Sequence, residues 1–148
     1  MASKGKGNGA KVSRILVDSS AWIALVRAND LYHSQARSQF NHLKQRRAKL
    51  FISEYIFLEV VTVLLLRVGP TEALSAGRLL RNSRIVQFLY IDPGLVDKTW
   101  QVFQSQAADP NRQASFTDCS SVVLIQEHTL DRIFTFDRVF ERLGLPIL

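Results

Sequence analysis

The stretch Arg14–Trp22, RILVDSSAW, decides the fold. Ile15, Leu16 and Val17 run without a polar interruption; Asp18 and two serines follow. An apolar run of this kind reads as a strand buried on both faces, the habit of parallel sheets covered by helices. Ser19 or Ser20 can cap the helix that AWIALV begins. Asp18 then stands at the carboxyl end of a strand, where open α/β sheets build their sites. Taken alone, Asp18 reads equally well as a turn or capping aspartate. Its weight depends on whether other carboxylates reach the same edge.

The pattern recurs along the chain. A helix over 21–26 leads through a turn at Ala28-Asn29-Asp30 to a second helix, Leu31 to Arg47, with Ala36, Phe40 and Leu43 on one face. Leu50-Phe51-Ile52 is the second strand. Ser53 caps the next helix, SEYIFLEVVTVLLLRV, which is apolar nearly all round and is expected to be the central buried helix. Gly69-Pro70 stops it, and Thr71 is expected to cap a further helix through Arg81. Ile85–Ile91 is the third strand, ended by Asp92-Pro93-Gly94, with an amphipathic helix over 95–107 behind it. Ser115 or Thr117 caps a helix reaching about Glu127. Arg132–Phe136 is the fourth strand, closed by Asp137. A short helix over 138–143 follows, and Pro146-Ile147-Leu148 adds an edge strand. Strands alternating with helices imply right-handed crossovers and a parallel sheet with helices on both faces.

At 148 residues, 47% of them hydrophobic, the chain suits one domain with a full core. Residues 1–13 read as a flexible basic arm and 14–148 as the domain. Nineteen Lys and Arg against 13 acids give a net charge of +6, which favours a polyanionic partner, nucleic acid first. The arm region carries Lys4, Lys6, Lys11 and Arg14, so the remainder is only mildly basic. One cysteine, Cys119, allows no intrachain disulfide and fits a reducing, cytoplasmic setting. The longest apolar run, Val60–Leu66, is too short for a bilayer, and the first residues lack the apolar core of a secretory signal.

Four acids fall at equivalent depths. Asp18 ends the first strand, Asp137 the fourth, and Asp118 lies in the first turn of a helix. Glu59 sits among Ile56, Phe57, Leu58, Val60, Val61 and Val63, where an ionised carboxylate is costly unless paired or bound to a metal. The plain readings are an arginine partner for Glu59, a helix-dipole charge for Asp118 and a cap for Asp137. Together they ask too much, because carboxylates crowded at one sheet edge repel one another. A divalent cation relieves that repulsion. Oxygen donors without a His or Cys cluster point to Mg²⁺ or Mn²⁺ rather than Zn²⁺. Such an ion suits phosphodiester hydrolysis. Thr135 and Thr117 offer hydroxyls to position water or phosphate, Ser19 is a further supporting candidate, and Arg112 and Arg138 lie near the same loops. Phosphate loops, GxGxxG motifs and nucleophile elbows are missing from the sequence.

VDSSAW, ISEYIFLEVVTVLL, SFTDCSSVVLIQEH and IFTFDRVFERLG, in that order, resemble the PIN-domain family and, within it, the VapC-type toxins of toxin–antitoxin pairs. The resemblance runs from about Arg14 to Leu148. It implies a compact three-layer α/β/α sandwich with a mostly parallel central sheet. It also implies a Mg²⁺- or Mn²⁺-dependent endoribonuclease whose acidic quartet falls on Asp18, Glu59, Asp118 and Asp137. A homodimer and a cognate antitoxin covering the site are implied as well. Cys119 stands where the family usually has alanine, and the glycine-lysine arm lies outside the pattern. In the nuclease reading Asp18, Asp118 and Asp137 hold the metal and Glu59 completes the catalytic set. The rival is a catalytically silent PIN-like module that binds RNA or protein.

Overall fold

The computed structural model describes residues 11–111 and 113–148. Its elements are β1 (Arg14–Val17), α1 (Ser19–Val26), α2 (His33–Gln45), β2 (Lys49–Ser53), α3 (Glu54–Arg67), α4 (Pro70–Arg81), β3 (Val86–Leu89), α5 (Pro93–Ala107), α6 (Phe116–Glu127), β4 (Arg132–Phe134) and α7 (Val139–Arg142). The four strands pair in parallel in the order β3-β2-β1-β4. Leu16 lies between Phe51 of β2 and Ile133 of β4, and all three side chains are buried. The expected α/β sandwich is the observed one.

The strand order places the site. From β1 the chain steps to β2 and β3, then returns past β1 to lay down β4. Right-handed crossovers put α1 to α4 on one face and α5 and α6 on the other. The direction of winding therefore reverses between β1 and β4. A crevice outside the carboxyl ends of strands opens where that reversal occurs. Asp18 follows β1 directly, and Asp137 lies three residues beyond β4.

Several local expectations are corrected. Neither Ser19 nor Ser20 caps α1; Asp18 does, its side chain accepting from the Ser20 amide. Thr71 does not cap α4: the helix begins one residue earlier at Pro70, with Gly69 as the cap residue at φ +146°. Proline fits this first position because its missing N–H would have no partner there, and the backbone angle at position 69 suits glycine. Helix α3 is not buried all round. Ile56, Val60 and Leu64 form its one buried stripe, while Leu58, Leu65 and Leu66 are exposed. The tail pairs with β4 only at Ile133 and Ile147, although Ile133 N–H donates to the Pro146 carbonyl and Leu148 N–H to the Ile133 carbonyl. Ser53 caps α3 as expected, its hydroxyl accepting from Ile56 N–H at 3.1 Å.

Residues 1–10 of the basic arm lie outside the described residues. Lys11 is fastened to the domain through Asp131, at 2.8 Å. Among the described residues no helix is long and apolar enough to cross a membrane.

Candidate active site

Asp18 is delivered to the crevice by the strand-to-helix turn, and its carboxylate is almost fully buried, at 2% exposure. Its Oδ2 accepts three hydrogen bonds: from Ser20 N–H at 3.2 Å, Ser20 Oγ at 2.8 Å and Thr135 Oγ1 at 3.0 Å. The two hydroxyls are relays. Ser20 Oγ accepts Phe136 N–H at 2.9 Å, and Thr135 Oγ1 accepts Asp137 N–H at 3.0 Å. Backbone donors of the loop after β4 are thereby passed on to the acid at the end of β1. Asp18 Oδ1 is buried and has no hydrogen-bond partner. A buried carboxylate oxygen without a partner is costly to leave so.

Glu59 rises from α3 at the same edge. Its Oε2 accepts from Ser19 Oγ at 2.6 Å, and among the described residues no arginine pairs with it; the ion pairs there are Lys11–Asp131 and Lys98–Glu127. Asp118 is held by a reciprocal capping box at the start of α6. Its Oδ2 accepts from Ser115 N–H at 2.8 Å, and its own N–H donates to Ser115 Oγ at 3.0 Å. Asp137 Oδ1 accepts from Val139 N–H at 2.9 Å. In each of the four acids the hydrogen bonds described fall on one oxygen, leaving the other unengaged.

The electrostatics show that the four are neighbours. Burial pushes the Asp18 carboxyl up to about 6; the Ser20 and Thr135 bonds oppose this and the charge of Asp118 adds to it. Burial also raises Glu59, opposed by Ser19 and reinforced by Asp118 and Asp137. Asp118 is raised by burial, against its Ser115 bonds, with Asp137 adding repulsion. Asp118 thus feels or influences the other three, as expected of like charges sharing a low-dielectric edge.

The four acids share this field without closing into a cage. Among the described residues, no group of three acid, His or Cys side chains stands ready to grip an ion. The donor set still fits a hard cation: carboxylate oxygens, one of them buried and unsatisfied, and, among the described residues, none of them ion-paired. Asp18, Asp118 and Asp137 are the residues that would hold it.

The supporting residues are arranged differently from expectation. Ser19 orients Glu59 and Thr135 braces Asp18. Thr117 contributes its carbonyl, which accepts from the Ser120 and Ser121 hydroxyls. Arg112 lies outside the described residues. Arg138 is exposed on the rim of a cleft of about 460 Å³ that it shares with Ser20, Asp30, Tyr32, Phe136 and Asp137. Sequence reasoning missed Ser20 as a ligand of Asp18; the signal was there, since the residue two beyond a helix-capping aspartate donates its N–H back to the cap. It also missed Tyr32, which nothing in the local sequence ties to β4. A larger cavity, of about 620 Å³, lies elsewhere, between α3 and α4, and is lined mainly by apolar residues such as Phe57, Val61, Leu65 and Leu74.

A four-stranded parallel sheet with an acidic quartet at its switch point defines the class: an α/β domain with its site at the carboxyl edge of the strands. A family profile for the PIN domain matches residues 15–145, and the chain belongs to the PIN-domain family. The 23S rRNA-specific endonuclease VapC20 of Mycobacterium tuberculosis is 25% identical over 130 residues, covering 88% of this chain and 94% of that protein. The crystal structure of M. tuberculosis VapC20, described as a sarcin-ricin loop cleaving toxin, is similar with a TM-score of 0.79 and 24% identity, over 90% of this chain and 98% of that one. FitAcB from Neisseria gonorrhoeae is similar with a TM-score of 0.67 and 15% identity, over 90% and 96%.

Proposed function

We propose that the chain is a divalent-metal-dependent endoribonuclease, the toxin of a VapBC-type toxin–antitoxin pair, hydrolysing RNA phosphodiester bonds. The observation that carries this reading is the meeting of Asp18, Glu59, Asp118 and Asp137 at the β1–β4 crevice, with Asp18 Oδ1 buried and unpartnered. Family membership and the likeness to VapC20 support it. At 25% identity the RNA target does not transfer with the family.

Asp18, Asp118 and Asp137 would hold Mg²⁺ or Mn²⁺. When bound, the ion supplies a more acidic water, a grip on the scissile phosphate and relief of charge at the leaving oxygen. The chain's own residues do the rest. Ser20 and Thr135 fix the orientation of Asp18 before substrate arrives. Ser19 holds one oxygen of Glu59, and the other is free to take a proton from the attacking water. Burial raises the affinity of Glu59 for that proton, which suits a general base. The reading includes a homodimer and an antitoxin segment that covers the acidic edge.

The test is cleavage of RNA by wild type and Asp18→Asn in Mn²⁺, Mg²⁺ and EDTA. Metal-dependent cutting by wild type alone is expected. Equal cleavage by both proteins, or cutting in EDTA, overturns the proposal. If wild type does not cut and Mn²⁺ brings no rise in melting temperature, the chain is a silent RNA- or protein-binding module.

A further inference from the structure

Three aromatic rings form a column from the core to the cleft beside the acids. Phe134, in β4, is fully buried. Phe136 packs against it edge-on, with centroids 5.7 Å apart and planes at 68°. Tyr32 lies flat on Phe136, at 4.6 Å and 6°. Tyr32 is 42% exposed and lines the cleft together with Asp137, one of the quartet, and Ser20, which orients another.

Both outer rings are set in advance. Asp30 Oδ1 accepts Tyr32 N–H at 2.9 Å, and the Asp30 carbonyl accepts His33 N–H at 3.1 Å. Asp30 N–H in turn donates to the Arg27 carbonyl at 3.0 Å. The loop between α1 and α2 is thus closed on itself. Phe136 is anchored by its N–H bond to Ser20 Oγ, so the network that orients Asp18 also fixes the ring under Tyr32. Arg138 is exposed on the same rim, and among the described residues no hydrogen bond or ion pair engages its guanidinium.

We propose that Tyr32, backed by Phe136, is a stacking platform for one unpaired nucleobase of the RNA strand next to the scissile phosphate, with Arg138 meeting a neighbouring phosphate. This rests on the nuclease reading and adds a base subsite to it. RNA loops and single strands are bound by splayed bases stacked on aromatic or guanidinium planes. A rigid ring on a second ring presents such a plane with little ordering left to do on binding. Phosphate contact by Arg138 offsets the charge of Asp30 and Asp137 on the same cleft.

The test is anisotropy of a short, unstructured, fluorescein-labelled RNA with the full chain in Mn²⁺, in a Glu59→Gln background that suppresses cutting. Tyr32→Ala and Tyr32→Leu should each weaken binding about tenfold, the size of one base–aromatic stack, while Tyr32→Phe and Tyr32→Trp retain it. Leucine keeps Phe136 covered, so its loss separates stacking from simple shielding. An abasic substitution at one position of the RNA should erase the difference between Tyr32 and Tyr32→Leu. No saturable binding, equal binding by all variants, or a Tyr32 effect that no abasic position removes overturns the platform. Cleavage by the Glu59-intact chain is scored separately. If it cuts RNA while Tyr32→Leu binds and cuts normally, the platform falls and the nuclease stands. If it does not cut but the Tyr32 dependence persists, the stacking platform stands as an RNA-binding site and the nuclease reading, with the placement beside a scissile phosphate, falls.

Discussion

Thr135 Oγ1 donates a 3.0 Å hydrogen bond to Asp18 Oδ2 across 117 positions of the chain, joining the ends of β4 and β1. The same hydroxyl accepts Asp137 N–H. One side chain therefore sets the relation between two of the four acids. Thr135→Val keeps the shape and removes the hydroxyl, leaving a buried acceptor and an amide each one partner short. Chemical unfolding should show a loss of about 1–3 kcal/mol. Because this bond lowers the Asp18 pKa, the variant should also need more Mn²⁺ for the same rise in melting temperature. Thr135→Ser should recover both; if Thr135→Val matches wild type in both, the hydroxyl does not organise the edge.

Glu59→Gln separates stability from activity. Gln Oε1 can still accept from Ser19, so the change removes charge with little change of shape. Glu59 is raised by burial and repelled by Asp118 and Asp137. The metal-free variant should therefore melt slightly higher than wild type, by less than about 1 kcal/mol because the group is only half-buried. RNA cleavage should fall at least about a hundredfold, the scale of a lost general base. A lower melting temperature together with full activity contradicts both its placement and its role.

The strands were legible because each is a short, mainly apolar run closed by a polar residue, and two of the four acids, Asp18 and Asp137, stand at or just past such boundaries. Asp18 and Asp137 could be placed from the chain alone once the sheet was taken as parallel. Glu59 was legible for a different reason, as a carboxylate inside an apolar helix. The exposure of that helix was not: Leu58, Leu65 and Leu66 carry the same letters as buried leucines, and whether a face is covered depends on tertiary packing. Cap positions slipped by one or two residues at Asp18 and Gly69 because neighbouring residues are competent caps or first-turn residues. The Tyr32–Phe136 stack joins residues over a hundred positions apart, beyond the reach of any local period.

Ser115 and Asp118 cap each other, so Ser115→Ala should cost about 1 kcal/mol by urea unfolding, the usual value of an N-cap side chain. Alanine keeps the Ser115 N–H that Asp118 Oδ2 accepts but leaves the Asp118 N–H without its partner, which loosens the turn that holds the carboxylate coupled to all three other acids. The concentration of Mn²⁺ needed for half-maximal cleavage should rise more than the stability loss alone explains, and Ser115→Thr should restore it. Unchanged metal dependence would place Asp118 outside the ion's reach.

The raised Asp18 carboxyl makes stability depend on pH in the sense opposite to an ordinary salt-bridged aspartate. Its pKa is about 6 folded against an ordinary 3.8. Between those values the folded chain holds a proton that the unfolded chain has lost. The contribution is thus fully present below about pH 4 and is lost as pH rises through about 6, by at most roughly 3 kcal/mol at 1.36 kcal/mol per unit. Glu59 and Asp118, also raised, act in the same sense. The metal-free wild type should lose stability over this window relative to Asp18→Asn, which carries no proton to lose. A bound ion reverses the trend, because it needs the carboxylates ionised. At fixed Mn²⁺ the rise in melting temperature should therefore be small at pH 5 and large at pH 7, and absent at both in Asp18→Asn. A wild-type rise of equal size at the two pH values would mean that Asp18 does not titrate as its burial demands.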